Sequence, residues 1–331
     1  MKRRVCLSMV MGAAAVAAVL PASAQGAADV SQALSSERFT LISPFPPGGP
    51  TDTLARVLAD GLGQRYKTTA VVENAVGAAG NIGMEKVKRA KGDGHTLLII
   101  PAGNLTINPT LMPKFPFDIR KDFVAVTMLA AAPNVIVAGK DSGIKSIADL
   151  IARAKAKPGT LSYASPGVGS GLHLAGELFK EHTGIDMLHV AYKGTPPALN
   201  DVMGGVVPLM FTNLPAALPF IQDGKLVALA TTQAKRTPAA PEVPTLAEEG
   251  VKGVDVTSWY GLMAPAGTSS VIAARLAQDA AEILAAPEVK QRLTAQGMTQ
   301  ATMSPAAFDK AIQAETAVWA GVLKSRHILA Q

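Results

Sequence analysis

The sequence predicts an α/β fold in two units, and three observations carry that expectation. A strand, a Gly/Pro loop and a helix follow one another between Phe39 and Leu62. The run Thr96-Leu97-Leu98-Ile99-Ile100 is apolar throughout, which suits a central strand of a parallel sheet covered on both faces. The layout of the first unit then returns 120 positions later, from Gly49 to Gly169. Alternating strands and helices of this kind build α/β sheets, whose ligands gather outside the carboxyl ends of the strands.

The chain begins with Lys2, Arg3 and Arg4, an apolar segment from Val5 to Leu20, and Pro21 before Ala22-Ser23-Ala24. A charged start, a short apolar core and an A-x-A site predict an export signal cleaved after Ala24, and hence a periplasmic protein. A membrane anchor fits less well, because the apolar run is short and rich in Gly and Ala. Without the leader's three basic residues the formal charge of +6 falls to +3. No Lys/Arg run concentrates on one stretch, so a nucleic-acid partner is not indicated. The single cysteine, Cys6, leaves with the leader, and neither disulfide nor thiolate chemistry is expected of the mature chain.

In the first unit, Phe39, Leu41 and Ile42 precede the loop Pro44-Phe45-Pro46-Pro47-Gly48-Gly49-Pro50, and Leu54, Val57, Leu58 and Leu62 recur at helical spacing. Gly49 or Thr51 suits the N-cap, Pro50 the first helical position and Asp52 the first turn. Such a turn points unpaired N–H groups outward at the positive end of a helix dipole, which outlines an anion site. Gly-Lys-Ser/Thr and GxGxxG are both absent, so phosphate is not indicated. Thr69–Glu73 reads as a second strand, followed by Asn74–Gly83 and a basic helix. The apolar strand through Ile100 ends at Pro101-Ala102-Gly103-Asn104, a further polar loop that makes Ala102 and Asn104 candidate contacts.

A crossing between units is expected near Thr127 to Ala131. Beyond it, Leu161–Ser165 leads into Pro166-Gly167-Val168-Gly169-Ser170-Gly171 and a helix through His173, Leu174, Leu178 and Phe179. G-x-S-x-G is missing here because Val168 stands where its first Gly belongs. Ser170 and His173 would share a helix face without forming a nucleophile–base pair. His173, His182 and His189 lack zinc-ligand spacing. Catalytic residues, a metal and a cofactor are therefore not expected. Two loops at helix starts, neither carrying Lys or Arg, suggest one carboxylate gripped from both sides by N–H and hydroxyl groups. Four to six charged hydrogen bonds at about 1.5–3 kcal/mol each, less desolvation and closure, leave room for micromolar affinity.

Further on, the strand His189–Thr195 holds Tyr192, Lys193 and Gly194, and a strand over Gly204–Asn213 is followed by a helix at Leu218–Asp223 and a strand at Lys225–Thr231. Trp259-Tyr260-Gly261-Leu262-Met263-Ala264-Pro265 is extended, with Trp259 and Tyr260 expected to pack at the second crossing, and the chain ends in helices. The segments PFPPGGPTDTLAR, ENAVGAAGNIG, GDGHTLLI, YASPGVGSGLHLAGELF, AYKGTPPALNDVMGG, PEVPTLAEEG and WYGLMAPAG follow in this order. Together they resemble the Bug family of periplasmic solute-binding proteins, the receptors of tripartite tricarboxylate transporters.

That resemblance implies a two-lobed, type II Venus-flytrap fold, with lobe 1 at residues 25–129 plus 260–331 and lobe 2 at 130–259, or a second crossing near Thr232. It implies a small organic carboxylate as ligand, permease subunits as partners and a monomer. It points to Phe45, Gly48, Gly49, Thr51 and Asp52 on one side, to Ser165, Gly167, Gly169, Ser170 and His173 on the other, and to Tyr192 and Lys193. Pro208 departs from the family pattern, where an acid is common. Asp52 reads more readily as a first-turn acid, and His173 as a structural hydrogen-bonder, than as ligand contacts. Lys193 is a surface charge unless it faces the cleft. A receptor feeding a two-component sensor shares every one of these features, whereas an exported hydrolase lacks its catalytic set.

Overall fold

A computed structural model describes residues 29–325. The predicted leader, residues 1–24 with Cys6, lies outside them. The described chain forms two separate sheets, each with helices on both faces.

The first sheet has the order β11-β4-β10-β3-β1-β2. Its parallel half is β1 (Phe39–Ser43), β2 (Ala70–Asn74) and β3 (Thr96–Pro101). β4 (Phe123–Ala132), β10 (Ser258–Pro265) and the short β11 (Thr299–Gln300) complete it in antiparallel pairings. α1 (Pro50–Tyr66) starts at once after the first loop, with Pro50 at its first position and Gly49 as N-cap. α1 packs one face of the sheet together with a helix at Ser270–Ala285, through Leu54, Leu58 and Leu62 against Leu276 and Leu284. The other face is covered through Met84, Val87, Phe308 and Ile312. α2 (Asn81–Lys88) supplies the first two.

The second sheet has the order β7-β6-β8-β5-β9. β6 (Ser162–Ser165), β7 (Leu188–Ala191) and β8 (Leu209–Asn213) are parallel, whereas β5 (Asn134–Gly139) and β9 (Leu226–Thr231) run the other way to β8 and β5 respectively. β5 is buried along its length. Its pattern Asn-Val-Ile-Val-Ala-Gly is therefore apolar rather than alternating, as a central strand requires.

Strand pairing carries the first sheet to Ala132, opposite Ser258, and β5 of the second sheet starts at Asn134. Pro133 separates the two pairings. The return segment from Thr232 to Val256 stays with the second sheet: Thr231 bridges Thr245, and Leu246, Val251, Val254 and Val256 enter its core. The boundaries expected at 129/130 and 259/260 fall inside β4 and β10, because apolar pattern alone does not say which strand a residue pairs with. At the junction the buried Asn134 holds three elements. Its Nδ2 donates to Val256 O at 2.8 Å, and its Oδ1 accepts from Asn213 Nδ2 at 2.9 Å and Ser258 Oγ at 2.8 Å.

Candidate ligand-binding cleft

A cleft of about 840 Å³, including its solvent-open part, lies between the two sheets. Four helices longer than two turns begin at it: α1, α3 (Gly171–Thr183), α4 (Thr195–Met203) and α5 (Leu214–Gln222). Each follows the carboxyl end of a parallel strand, so the geometry comes directly from the βα order of the chain. Backbone N–H groups in a first helical turn have no intrahelical acceptor. At Thr51, Gly171, Leu172 and Thr195 they belong to cleft-lining residues. A short helix at Ala102–Thr106 adds Ala102, Gly103 and Asn104 to the same surface.

The first loop is braced from behind. Gly48 takes φ +87°, and its N–H donates to Asp52 Oδ2 at 3.1 Å. The Asp52 carboxylate also accepts from Arg56 Nε at 2.9 Å and from Asn74 Nδ2 at 3.0 Å, and the same Asn74 amide donates to Phe45 O. Burial acts to raise the Asp52 pKa, but the Arg56 guanidinium, the Asn74 amide and the Gly48 N–H together hold it below the usual range. Ser43 Oγ donates to Thr51 Oγ1 at 3.2 Å, which leaves the Thr51 proton free to turn to the cleft.

The second loop rests on a buried polar chain. Ser170 caps α3: its Oγ accepts from His173 N at 3.1 Å and donates to Gly167 O at 2.8 Å. The hydroxyl proton is therefore committed inside the loop. Ser165, fully buried, lies 2.7 Å from His189 Nε2 and accepts from Gly167 N. His189 stacks on His173 at 4.2 Å, and His173 Nδ1 accepts from Gly169 N at 3.4 Å. Burial pushes both imidazoles down, His189 to about 4 with His173 as a second cause. Both rings are therefore neutral at pH 7, which lets Nδ1 accept and fixes the loop.

Three glycines permit close approach of the two sides. A Cβ at Gly103 would lie 2.7 Å from Gly169 O, one at Gly194 2.6 Å from Pro46 Cδ, and one at Gly169 1.9 Å from Asn108 Oδ1. Each contact joins the first lobe to the second. The loop between β2 and α2 is strained: Ala78 and Ala79 both take left-handed φ, 47° and 53°. Asn104 Nδ2 donates to Ala79 O at 2.7 Å and holds that turn against the cleft. Left-handed backbone costs a non-glycine residue about 1–2 kcal/mol.

Of the residues expected from sequence, Phe45, Gly49, Thr51, Ala102, Asn104, Gly167, Gly169 and Ser170 line the cleft. Gly48, Asp52, Ser165, His173, Tyr192 and Lys193 are outside the lining. The first four brace the loops. Tyr192 donates to Asp201 Oδ2 at 2.6 Å, with burial first and Asp201 second pushing its hydroxyl up to about 12. Lys193 is exposed.

Sequence reasoning passed over Asn108, Asn213, Glu315 and Trp319 as cleft residues, and assigned Tyr260 to packing at the second crossing. Asn213 ends a parallel strand and was within reach of the rule that found the others. Tyr260 is only 3% exposed yet lines the cleft, and burial alone raises its hydroxyl pKa. Glu315 and Trp319 come from the last helix, α6 (Pro305–Ser325), far along the chain. Glu315 accepts from Trp259 Nε1 at 2.6 Å, Thr106 Oγ1 at 3.1 Å and Trp319 Nε1 at 3.1 Å. It is the one charged side chain in the lining among the described residues, so no Lys or Arg faces the ligand space. Any anion there is held by backbone N–H groups, hydroxyls, amides and helix termini.

Residues 54–328 match the family described as tripartite tricarboxylate transporter family receptor. Protein BugT of Bordetella pertussis is 38% identical over 312 residues, 94% of this chain and 96% of its own length. Among solved structures, Rhodopseudomonas palustris Rpa4515 with adipate superposes with a TM-score of 0.84 at 36% identity, covering 87% of this chain and 97% of that one. MatC from the same organism, with bound malate, gives 0.81 at 30% identity, covering 87% and 99%.

Proposed function

The chain belongs to the tripartite tricarboxylate transporter receptor family, and from that premise we propose that it binds a small organic carboxylate between its lobes and hands it to a membrane permease. The carrying observation is the cleft where four helix N-termini converge and no cationic side chain lines the space. N–H donors and helix dipoles favour an anion without an ion pair, each helix terminus contributing about 0.3–1 kcal/mol. Adipate and malate in two solved family members support the carboxylate class.

Gly49, Thr51 and Asn104 contact the ligand from the first lobe, Gly167, Gly169 and the first turn of α3 from the second. Gly48, Asp52, Ser165, Ser170 and His173 keep those donors in place. Members of the family are periplasmic receptors, and no helix among the described residues is long and apolar enough to cross a membrane. The leader is removed after Ala24, and the mature chain acts as a monomer. No reaction is assigned to it. The lobes are residues up to Ala132 plus those from Ser258, and Asn134 to Thr257, a division supported by the strand pairings.

A thermal-shift screen of the mature protein over an organic-acid panel that includes adipate and malate, followed by calorimetry, tests this reading. A bound acid at 100 times its dissociation constant adds about 2.7 kcal/mol to stability. A panel without a single carboxylate that raises the midpoint, in a folded protein, would refute it.

A further inference from the structure

At the end of the first sheet remote from the cleft, three side chains bring metal-ligating atoms together: Glu37 just before β1, and Asp93 and His95 in the turn that leads to β3. The donor atoms all lie within 4.8 Å of one another. His95 is 7% exposed, and neither of its ring nitrogens has a hydrogen-bond partner among the described residues. A buried imidazole in that state forfeits the bonds it made to water. We propose that Glu37, Asp93 and His95 form a binding site for a divalent transition-metal ion of the zinc type.

The distances suit that ion. His95 Nδ1 is 3.3 Å from Asp93 Oδ1, but with an alignment that makes no hydrogen bond. Ligands about 2.0–2.1 Å from a tetrahedral zinc stand roughly 3.3–3.4 Å apart along each edge. The pair therefore already spans one edge. Glu37 is exposed, and a change of rotamer brings its carboxylate in as the third ligand. Water completes the shell on the solvent side. One imidazole with two carboxylates favours zinc, nickel or copper over calcium or magnesium, which take oxygen ligands.

The backbone around the three residues is fixed beforehand. Glu37 O accepts from Thr68 Oγ1 at 3.2 Å, His95 O accepts from Thr40 N at 2.7 Å, and His95 N donates to Asp93 Oδ1 at 3.0 Å. Phe39 packs against the His95 ring with centroids 5.3 Å apart and limits its rotation. A bound ion would tie the start of β1 to the start of β3, the two strands whose other ends carry the Gly49 and Asn104 loops. Its role is to stiffen the lobe from the outside.

The test uses the tag-free mature protein, stripped with EDTA and titrated with zinc, then nickel, by calorimetry, with thermal unfolding in parallel. One zinc per chain at micromolar affinity and a midpoint raised by a few degrees are expected. Asp93→Asn keeps the oxygen that accepts His95 N–H and removes the charge, and Glu37→Gln alters only an exposed side chain. Each should weaken zinc at least tenfold without changing the metal-free midpoint. His95→Phe should abolish binding. No zinc binding by the wild type overturns the proposal. So does unchanged affinity in folded Asp93→Asn and Glu37→Gln, which would mark the ion as adventitious elsewhere on the surface. Carboxylate binding in the cleft is measured separately and does not bear on this result.

Discussion

Gly103→Ala separates lobe closure from folding. Gly103 lies in a helical turn with ordinary backbone, where alanine is favoured over glycine by about 0.5–1 kcal/mol, so the first lobe should fold at least as well. The atoms nearest its new Cβ would be backbone of the opposite lobe: Gly169 O at 2.7 Å, Gly171 N at 3.2 Å and Ser170 Cα at 3.4 Å. Ordinary contact begins near 3.4 Å, so the lobes must stand off by about 0.7 Å. A ligand bridging them at about 2.9 Å would then be about 3.6 Å from one side, beyond a normal hydrogen bond. Losing two charged bonds at about 1.5–3 kcal/mol each predicts at least a hundredfold weaker binding. Calorimetry with the acid found in the panel measures it, and unfolding of the ligand-free variant provides the control. Wild-type affinity in a folded Gly103→Ala protein would show that the closed approach seen here is not the binding state.

Other outcomes follow from the same contacts. Ser170→Ala removes an N-cap and should cost about 1 kcal/mol in denaturant melts; binding should weaken through loss of loop geometry, since the hydroxyl proton already goes to Gly167 O. Asp279 is fully buried between Arg65 Nη1 at 2.8 Å, Arg275 Nε at 2.9 Å and the Tyr66 hydroxyl, and Asp279→Ala should destabilise by about 3–5 kcal/mol, with carboxylate affinity unchanged at a temperature where it is folded. His189 takes a proton near 6.5 when unfolded but only near 4 when folded. The unfolded state therefore binds more protons between those values, and stability should fall by about 3 kcal/mol as pH drops from 6.5 to 4, with His173 adding in the same direction. A folded His189→Gln variant should lose much of that slope; an unchanged slope would exclude the His pair as its cause.

Local chemistry made much of the cleft legible before any coordinates. Pro50 after two glycines, Asp52 in the first turn, and Gly167 and Gly169 before an amphipathic run mark helix starts, because Pro and Gly restrict or release φ within a few residues of where they stand. The apolar runs at Thr96–Ile100 and Leu209–Asn213 mark buried strands for a similar reason. The helix at Leu214–Gln222 was less visible: Pro219 lies inside it, and burial of Leu214, Ala217 and Leu218 against the second sheet offsets the cost of that proline.

Tertiary structure decided what depends on distant partners. The sequence favours a supporting role for Asp52 and His173, but what they support is decided by Asn74, His189 and Gly169, which the fold brings around them. Glu315 and Trp319 reach the cleft because α6 spans both lobes: Phe308 and Ile312 enter the core of the first, and Trp319 packs against that of the second. Glu37 meets Asp93 and His95 only because β1 and β3 pair in parallel. Periodicity records which face of an element is buried, whereas these neighbours are set by sheet order and helix packing, which couple residues far apart in sequence.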